Sequence, residues 1–205
     1  MTDAEIKQSL QQILNRLHDS KSGIFQHNSN FKNGTIKLKH ALSRGIQTKD
    51  VPFNVSGNDI LEQKLGDIIS CTGMTKAFLA AGKDSGLDMR AVITVNKDAL
   101  DKGITNDDHV VPAVKMSDGN YHIIEPRARY IDGADSAKLF STPIEIGKDV
   151  FHILPSMKGQ PYEVVAIITP DELEKIKSLN DIKRRNHRPE FFAQIYNQRN
   201  GFENS

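Results

Sequence analysis

Apolar and polar positions change their period several times along the chain, and each change predicts an element. Ile6, Leu10, Ile13, Leu14 and Leu17 recur at helical spacing behind Thr2-Asp3-Ala4-Glu5, a capping-box pattern, which predicts a helix to about His18. Asp19 to Gly34 is rich in Ser, Asn and Gly and reads as a loop. Ile36, Leu38, Ala41 and Leu42 predict a second helix from Thr35 to about Arg44, ended by Gly45, and Asp50 to Asp59 reads as irregular. Cys71 to Lys83 favours a helix with one apolar stripe, Met74, Ala77, Phe78 and Ala81, and Gly82 and Gly86 bracket its end.

The pattern then becomes extended. Met89 to Val95 is β-rich and continuously apolar after Arg90, as a buried strand would be. His109 to Met116 and Asn120 to Glu125 follow as two extended segments joined through Asp118-Gly119, a hairpin signal. Further strands are expected at Val150 to Leu154 and Glu163 to Ile168. Thr169-Pro170-Asp171-Glu172 opens a helix with a cap, a first-turn proline and an acid, and a last helix near Pro189 carries Phe191, Phe192, Ile195 and Tyr196. No internal repeat or low-complexity linker interrupts the chain. The expectation is one α+β domain over residues 1–205: a helical part over 1–60, a core over 66–126, and a strand-and-helix part over 140–205.

Composition narrows the function classes. The chain has 205 residues, and its net charge of +1 gives no general electrostatic case for a nucleic-acid or membrane partner. No apolar run approaches the roughly 20 residues that span a bilayer. Met1 to Leu17 is amphipathic, with Lys7, Gln8, Gln11 and Gln12, and does not read as a cleavable signal peptide. A basic run, Lys183, Arg184, Arg185, His187 and Arg188, lacks interleaved aromatics and reads as a solvated joint or a docking patch for a protein substrate. The single cysteine excludes an internal disulfide and a cysteine-pair zinc site. It fits synthesis in the cytoplasm, with export by a signal-less route, as for a delivered effector, as the other option.

That cysteine is the centre of the chemical reading. Cys71 opens its predicted helix behind Ser70, a capable cap, and a helix N-terminus stabilises a thiolate. Thr72 and Gly73 keep the first turn small, which makes the Cys71 backbone N–H a candidate oxyanion donor. A thiol nucleophile needs an imidazole, and the imidazole needs an orienting acid. His109 begins one arm of the hairpin and Glu125 ends the other. They share a face only if the loop has three residues, Ser117-Asp118-Gly119, with Gly119 in the left-handed region; a two-residue turn puts them on opposite faces. Pro112, which cannot donate to a ladder, points to an edge or a bulge there. Each residue also has a plainer reading: Cys71 as a small buried hydrophobe, His109 as a solvated strand end, Glu125 as a surface carboxylate, and Asp107-Asp108 as solvated loop acids.

Gly66 to Pro126 resembles the transglutaminase-like superfamily. Ser70-Cys71-Thr72-Gly73-Met74-Thr75-Lys76-Ala77-Phe78-Leu79 is similar to the family's cysteine-opened helix, and Ser85-Gly86-Leu87-Asp88-Met89-Arg90-Ala91-Val92 to its link into a strand. His109-Val110-Val111-Pro112-Ala113-Val114 is similar to the histidine strand, and Tyr121-His122-Ile123-Ile124-Glu125-Pro126 to the strand that ends in an acid and a proline. Glu125 stands where the family usually carries aspartate, and the chain has no tryptophan. The resemblance implies a papain-like core and a Cys71–His109–Glu125 triad that needs no cofactor. It also implies acyl transfer or amide hydrolysis on a protein or peptide through a thioester, of protease, deamidase or transglutaminase type. The small size, the absent signal and the unclassified tail fit a bacterial protein acting on another protein. Gln63 is the candidate for an upstream oxyanion residue.

Two alternatives stand beside this reading. One is a catalytically inactive form of the same fold that serves as a protein-binding module. The other is a metal site of Cys71, His109, His122 and Glu125, which no recognised ligand spacing supports and which strand parity opposes.

Overall fold

Five strands form one antiparallel sheet in the computed structural model, which describes residues 1–18, 51–63, 71–97, 108–126, 131, 142–151, 161–178 and 181. They are β1 (Met89–Asn96), β2 (Asp108–Lys115), β3 (Tyr121–Ile123), β4 (Asp149–Phe151) and β5 (Pro161–Ile168), in the spatial order β3-β2-β1-β5-β4. The central strand is the one with the continuous apolar run: Ala91, Val92 and Ile93 are wholly buried because both faces of the sheet are covered. Helices and one antiparallel sheet make the described chain α+β.

Among the described residues five helices accompany the sheet: α1 (Asp3–His18), α2 (Val51–Asn54), α3 (Gly57–Gln63), α4 (Cys71–Ala81) and α5 (Pro170–Glu174). The capping box of α1 forms as its sequence implies, with Glu5 N bonded to Thr2 Oγ1 and Thr2 N to Glu5 Oε2. All five residues of its apolar stripe are buried. At α5, Thr169 and Glu172 close a second box behind Pro170. The segment read as irregular, Asp50 to Asp59, instead contributes α2 and the start of α3, helices of four and seven residues that are too short to display a period. The Asp19 to Gly34 loop, the helix expected over Thr35 to Arg44, the basic run from Lys183 and the helix expected near Pro189 lie outside the described residues.

Helix α4 departs most from its expected pattern. It buries Thr72, Thr75 and Lys76 as completely as Ala77 and Phe78, so it is enclosed all round rather than along one stripe. On its inner side it meets a cluster that includes Val110 and Val114 of β2 and Ile93 and Val95 of β1. Helices α1, α3 and α5 cover the rest. Gly57, at the start of α3, lets that helix approach α4 so closely that a Cβ there would run into the Lys76 carbonyl and lie 2.8 Å from Ala80 Cβ. The opposite face of the sheet carries a second cluster around Val92, Val111, Ala113, Ile123, Tyr162 and Val164.

The hairpin between β2 and β3 has the three-residue loop. Ala113 pairs with Ile123 and Lys115 with Tyr121, Met116 N donates to Asn120 O at 2.9 Å, and Gly119 takes φ +83°. Pro112 does not mark an edge, because β2 lies inside the sheet between β3 and β1. Nor does a bulge fall there; the register shift is in the β1–β5 pairing, between Ile93 and Thr94. Pro112 is tolerated for another reason. Its carbonyl accepts from Ile124 N at 2.9 Å, so its nitrogen faces the side where β3 is ending and few ladder bonds remain to be lost.

Candidate active site

Buried polar side chains gather at one end of this sheet. Among the described residues, Thr94 and Asn96 lie at the end of β1, His109 is the second residue of β2, Glu163 lies near the start of β5, and Glu125 follows β3, all buried. Thr72 and Thr75, in the first turns of α4, are buried beside the same end. Toward the opposite end Met89 and Met116 are buried, together with the polar side chain of His122. Burying polar groups has a cost unless they are hydrogen-bonded, so such a concentration at one end is chemically meaningful.

Cys71 is the first residue of α4 and is half-buried. Thr75 Oγ1 lies 2.9 Å from the Cys71 carbonyl oxygen and 2.9 Å from the carbonyl oxygen of Val110. That second contact fastens the start of α4 to the start of β2, one residue from His109. The reason it is available lies in the register. Pro112 O faces β3, so Val110 O faces the same way, past the point where β3 stops. Continuing the pairing would bring Pro126 opposite Val110, and a proline has no N–H to give.

His109 is opposite Thr94 in the sheet, and Thr94 Oγ1 donates to the His109 carbonyl at 3.1 Å. Its imidazole meets Tyr162 edge-on, with ring centroids 6.5 Å apart and planes at 64°. Tyr162 belongs to the cluster on the face away from α4, and so does Val111, two residues along β2. His109 therefore presents its ring to that face. In the observed register Glu125 falls opposite Val111, on the same face as His109. The histidine and the acid thus share a face, while the body of α4 covers the other. The His109 ring and the body of α4 therefore lie on opposite faces of the sheet. Thr72 and Gly73, expected to leave an open first turn, are both buried. Gln63 is the last residue of α3, seven residues of chain outside the description separate it from Cys71, and Ser70 is among those seven.

His122 pairs with Val114 and so faces away from His109. Its Nε2 lies 3.0 Å from Asp118 Oδ2 in the hairpin loop, where the Asn120 backbone N–H and this imidazole hold the Asp118 carboxyl down at about 2. Among the described residues no group of three or more His, Cys, Asp or Glu side chains is arranged to hold a metal ion.

The burial of two ionisable side chains, Lys76 and Glu163, escaped the sequence reading. Lys76 is the sole charged residue between Cys71 and Lys83, which was a usable signal, yet its side chain is fully enclosed. Its Nζ donates to the carbonyls of Phe53 (2.8 Å) and Ile176 (3.1 Å), with Glu174 Oε2 at 3.7 Å. Burial lowers the Lys76 ammonium from its ordinary 10.5 to about 8, and Glu174 opposes that shift. Beyond it a cavity of about 340 Å3 opens between the far half of α4, the start of β1 and α5, bordered by Lys83, Arg90 and Asp171. It lies away from Cys71, beside the later turns of the helix.

Comparison with protein-family models, with curated proteins and with solved structures finds no match. No helix among the described residues is long and apolar enough to cross a membrane.

Proposed function

We propose that the chain is a cysteine-dependent acyltransferase or amide hydrolase of transglutaminase-like type, with a papain-like core. In this reading Cys71 is the nucleophile, His109 its base, and Glu125 the acid that orients the imidazole. The observation that carries it is the convergence at one sheet end: the cysteine opens α4, Thr75 ties that turn to Val110, and the three-residue loop puts His109 and Glu125 on a common face. His109 would take the thiol proton as Cys71 attacks a glutamine side-chain or peptide carbonyl, and would return it to the leaving amine. Water or a second amine would then release the acyl group from the thioester. The Cys71 N–H would donate to the oxyanion, and a cysteine-opened helix on an antiparallel sheet suits the papain-like core. The substrate is a protein or peptide amide, and no cofactor takes part.

A second reading, a binding module of the same fold without catalysis, is favoured by the buried first turn of α4 and by the packing of the His109 ring against Tyr162 on the far face. The pH dependence of Cys71 alkylation by iodoacetamide separates the two. The enzyme reading expects reaction well below pH 8 that His109→Ala abolishes. A thiol that titrates like an ordinary cysteine, indifferent to His109, would replace it with the binding module.

A further inference from the structure

Thr75 occupies a place that neither the nucleophile nor the base can fill. Its side chain is completely buried, and its hydroxyl stands 2.9 Å from each of two carbonyl oxygens, one on Cys71 and one on Val110, the neighbour of His109. A threonine in a helix commonly back-bonds to the carbonyl four residues earlier, which explains the first contact and not the second. The second crosses from helix to strand over 35 residues of sequence. It is made to a carbonyl that β3 leaves exposed by ending and that Pro126 cannot serve.

We infer that Thr75 is a positioning residue for the Cys71–His109 pair, fixing the first turn of α4 against the strand that carries His109. The inference rests on the acyl-transfer reading above. Thr94, bonded to the His109 carbonyl from β1, holds the strand from its other side. Between them the two hydroxyls define where the histidine backbone lies relative to the cysteine, and reactivity of this kind is lost with displacements of about 1 Å.

The test follows Cys71 alkylation against pH in wild type, His109→Ala, Thr75→Val, Thr75→Ser and the double variant Thr75→Val/Pro126→Ala. Thr75→Val removes the hydroxyl, and its alkylation rate near pH 6.5 is expected to fall about tenfold, the effect of one pH unit in the thiol's titration. Thr75→Ser keeps the hydroxyl and restores the rate. The double variant supplies Val110 O with a new backbone N–H, gained by replacing the proline, in place of the threonine hydroxyl, so it regains melting temperature but not reactivity. It also keeps the question open to measurement if Thr75→Val alone fails to fold. A Thr75→Val profile equal to wild type, or reactivity recovered by the double variant, would reduce Thr75 to a donor for a stranded carbonyl and overturn the inference. A profile that depends on His109 but not on Thr75 removes the positioning role alone. A wild-type profile indifferent to His109→Ala removes the acyl-transfer reading and the positioning role together.

Discussion

Replacing Lys76 by methionine should change stability by an amount that depends on pH, and the structure sets the sign. Methionine keeps the length and most of the volume of the lysine stem but donates nothing, so the Phe53 and Ile176 carbonyls lose their partner. Each buried carbonyl left unsatisfied costs about 2 kcal/mol, or about 4 kcal/mol for the pair. Against this stands the charge. The ammonium titrates at about 8 in the folded chain and near 10.5 when unfolded, because burial disfavours the charged form. Between those values the unfolded chain holds a proton that the folded chain has released, so wild-type stability rises with pH. The interval is worth about 3 kcal/mol at about 1.4 kcal/mol per pH unit. This gain is fully present above pH 10.5 and lost as pH falls through 8. A neutral amine still has two protons for the two carbonyls, so deprotonation keeps both bonds. Lys76→Met should therefore destabilise by about 4 kcal/mol near pH 10.5 but by only about 1 kcal/mol at pH 7. Urea unfolding of both proteins at pH 7, 9 and 10.5 measures this, and groups common to the two cancel in the difference. A difference that stays constant across that range would show that Glu174 offsets the burial and would refute the argument.

Gly57→Ala should lose about 2 kcal/mol or more in denaturant unfolding, because the new methyl cannot enter beside the Lys76 carbonyl and Ala80 without parting α3 from α4. Thr169→Ala removes the N-cap acceptor of α5 and should cost about 1 kcal/mol by thermal unfolding, with near-neutral Thr169→Ser as its control. Asp118 titrates at about 2 rather than 3.8, so its contribution is present above 3.8 and lost as pH falls through 2. Asp118→Asn should flatten the acid arm of a stability profile in that window, and an unchanged arm would count against the Asn120 and His122 bonds as its cause.

The elements that were legible in the sequence are those with a long period or a local chemical signature. The α1 stripe, the Thr2–Glu5 and Thr169–Glu172 boxes, the apolar run of β1 and the Asp118-Gly119 turn are all present. What escaped depends on contacts across the chain. Helices α2 and α3 are short, and what covers them is α4 and the approach at Gly57, which no local pattern announces. The Lys76 burial depends on carbonyls far away in sequence. The parity of His109 and Glu125 could be reasoned conditionally from the hairpin, and the loop has the length that parity required. The face on which α4 would pack could not, because a strand that is apolar on both faces does not say which side a helix will take.

The enclosure of Lys76 also constrains the order in which this molecule can assemble. Its two carbonyl partners come from positions 23 and 100 residues away, one on each side of α4 in sequence. Until both arrive, the amine keeps its water, and the helix cannot settle in the interior. Docking of Phe53 and docking of Ile176 are thus coupled through one side chain, and releasing either exposes the same nitrogen. The amide protons of α3, the later turns of α4 and α5 should exchange with solvent as a single cooperative unit, though they belong to segments more than a hundred residues apart.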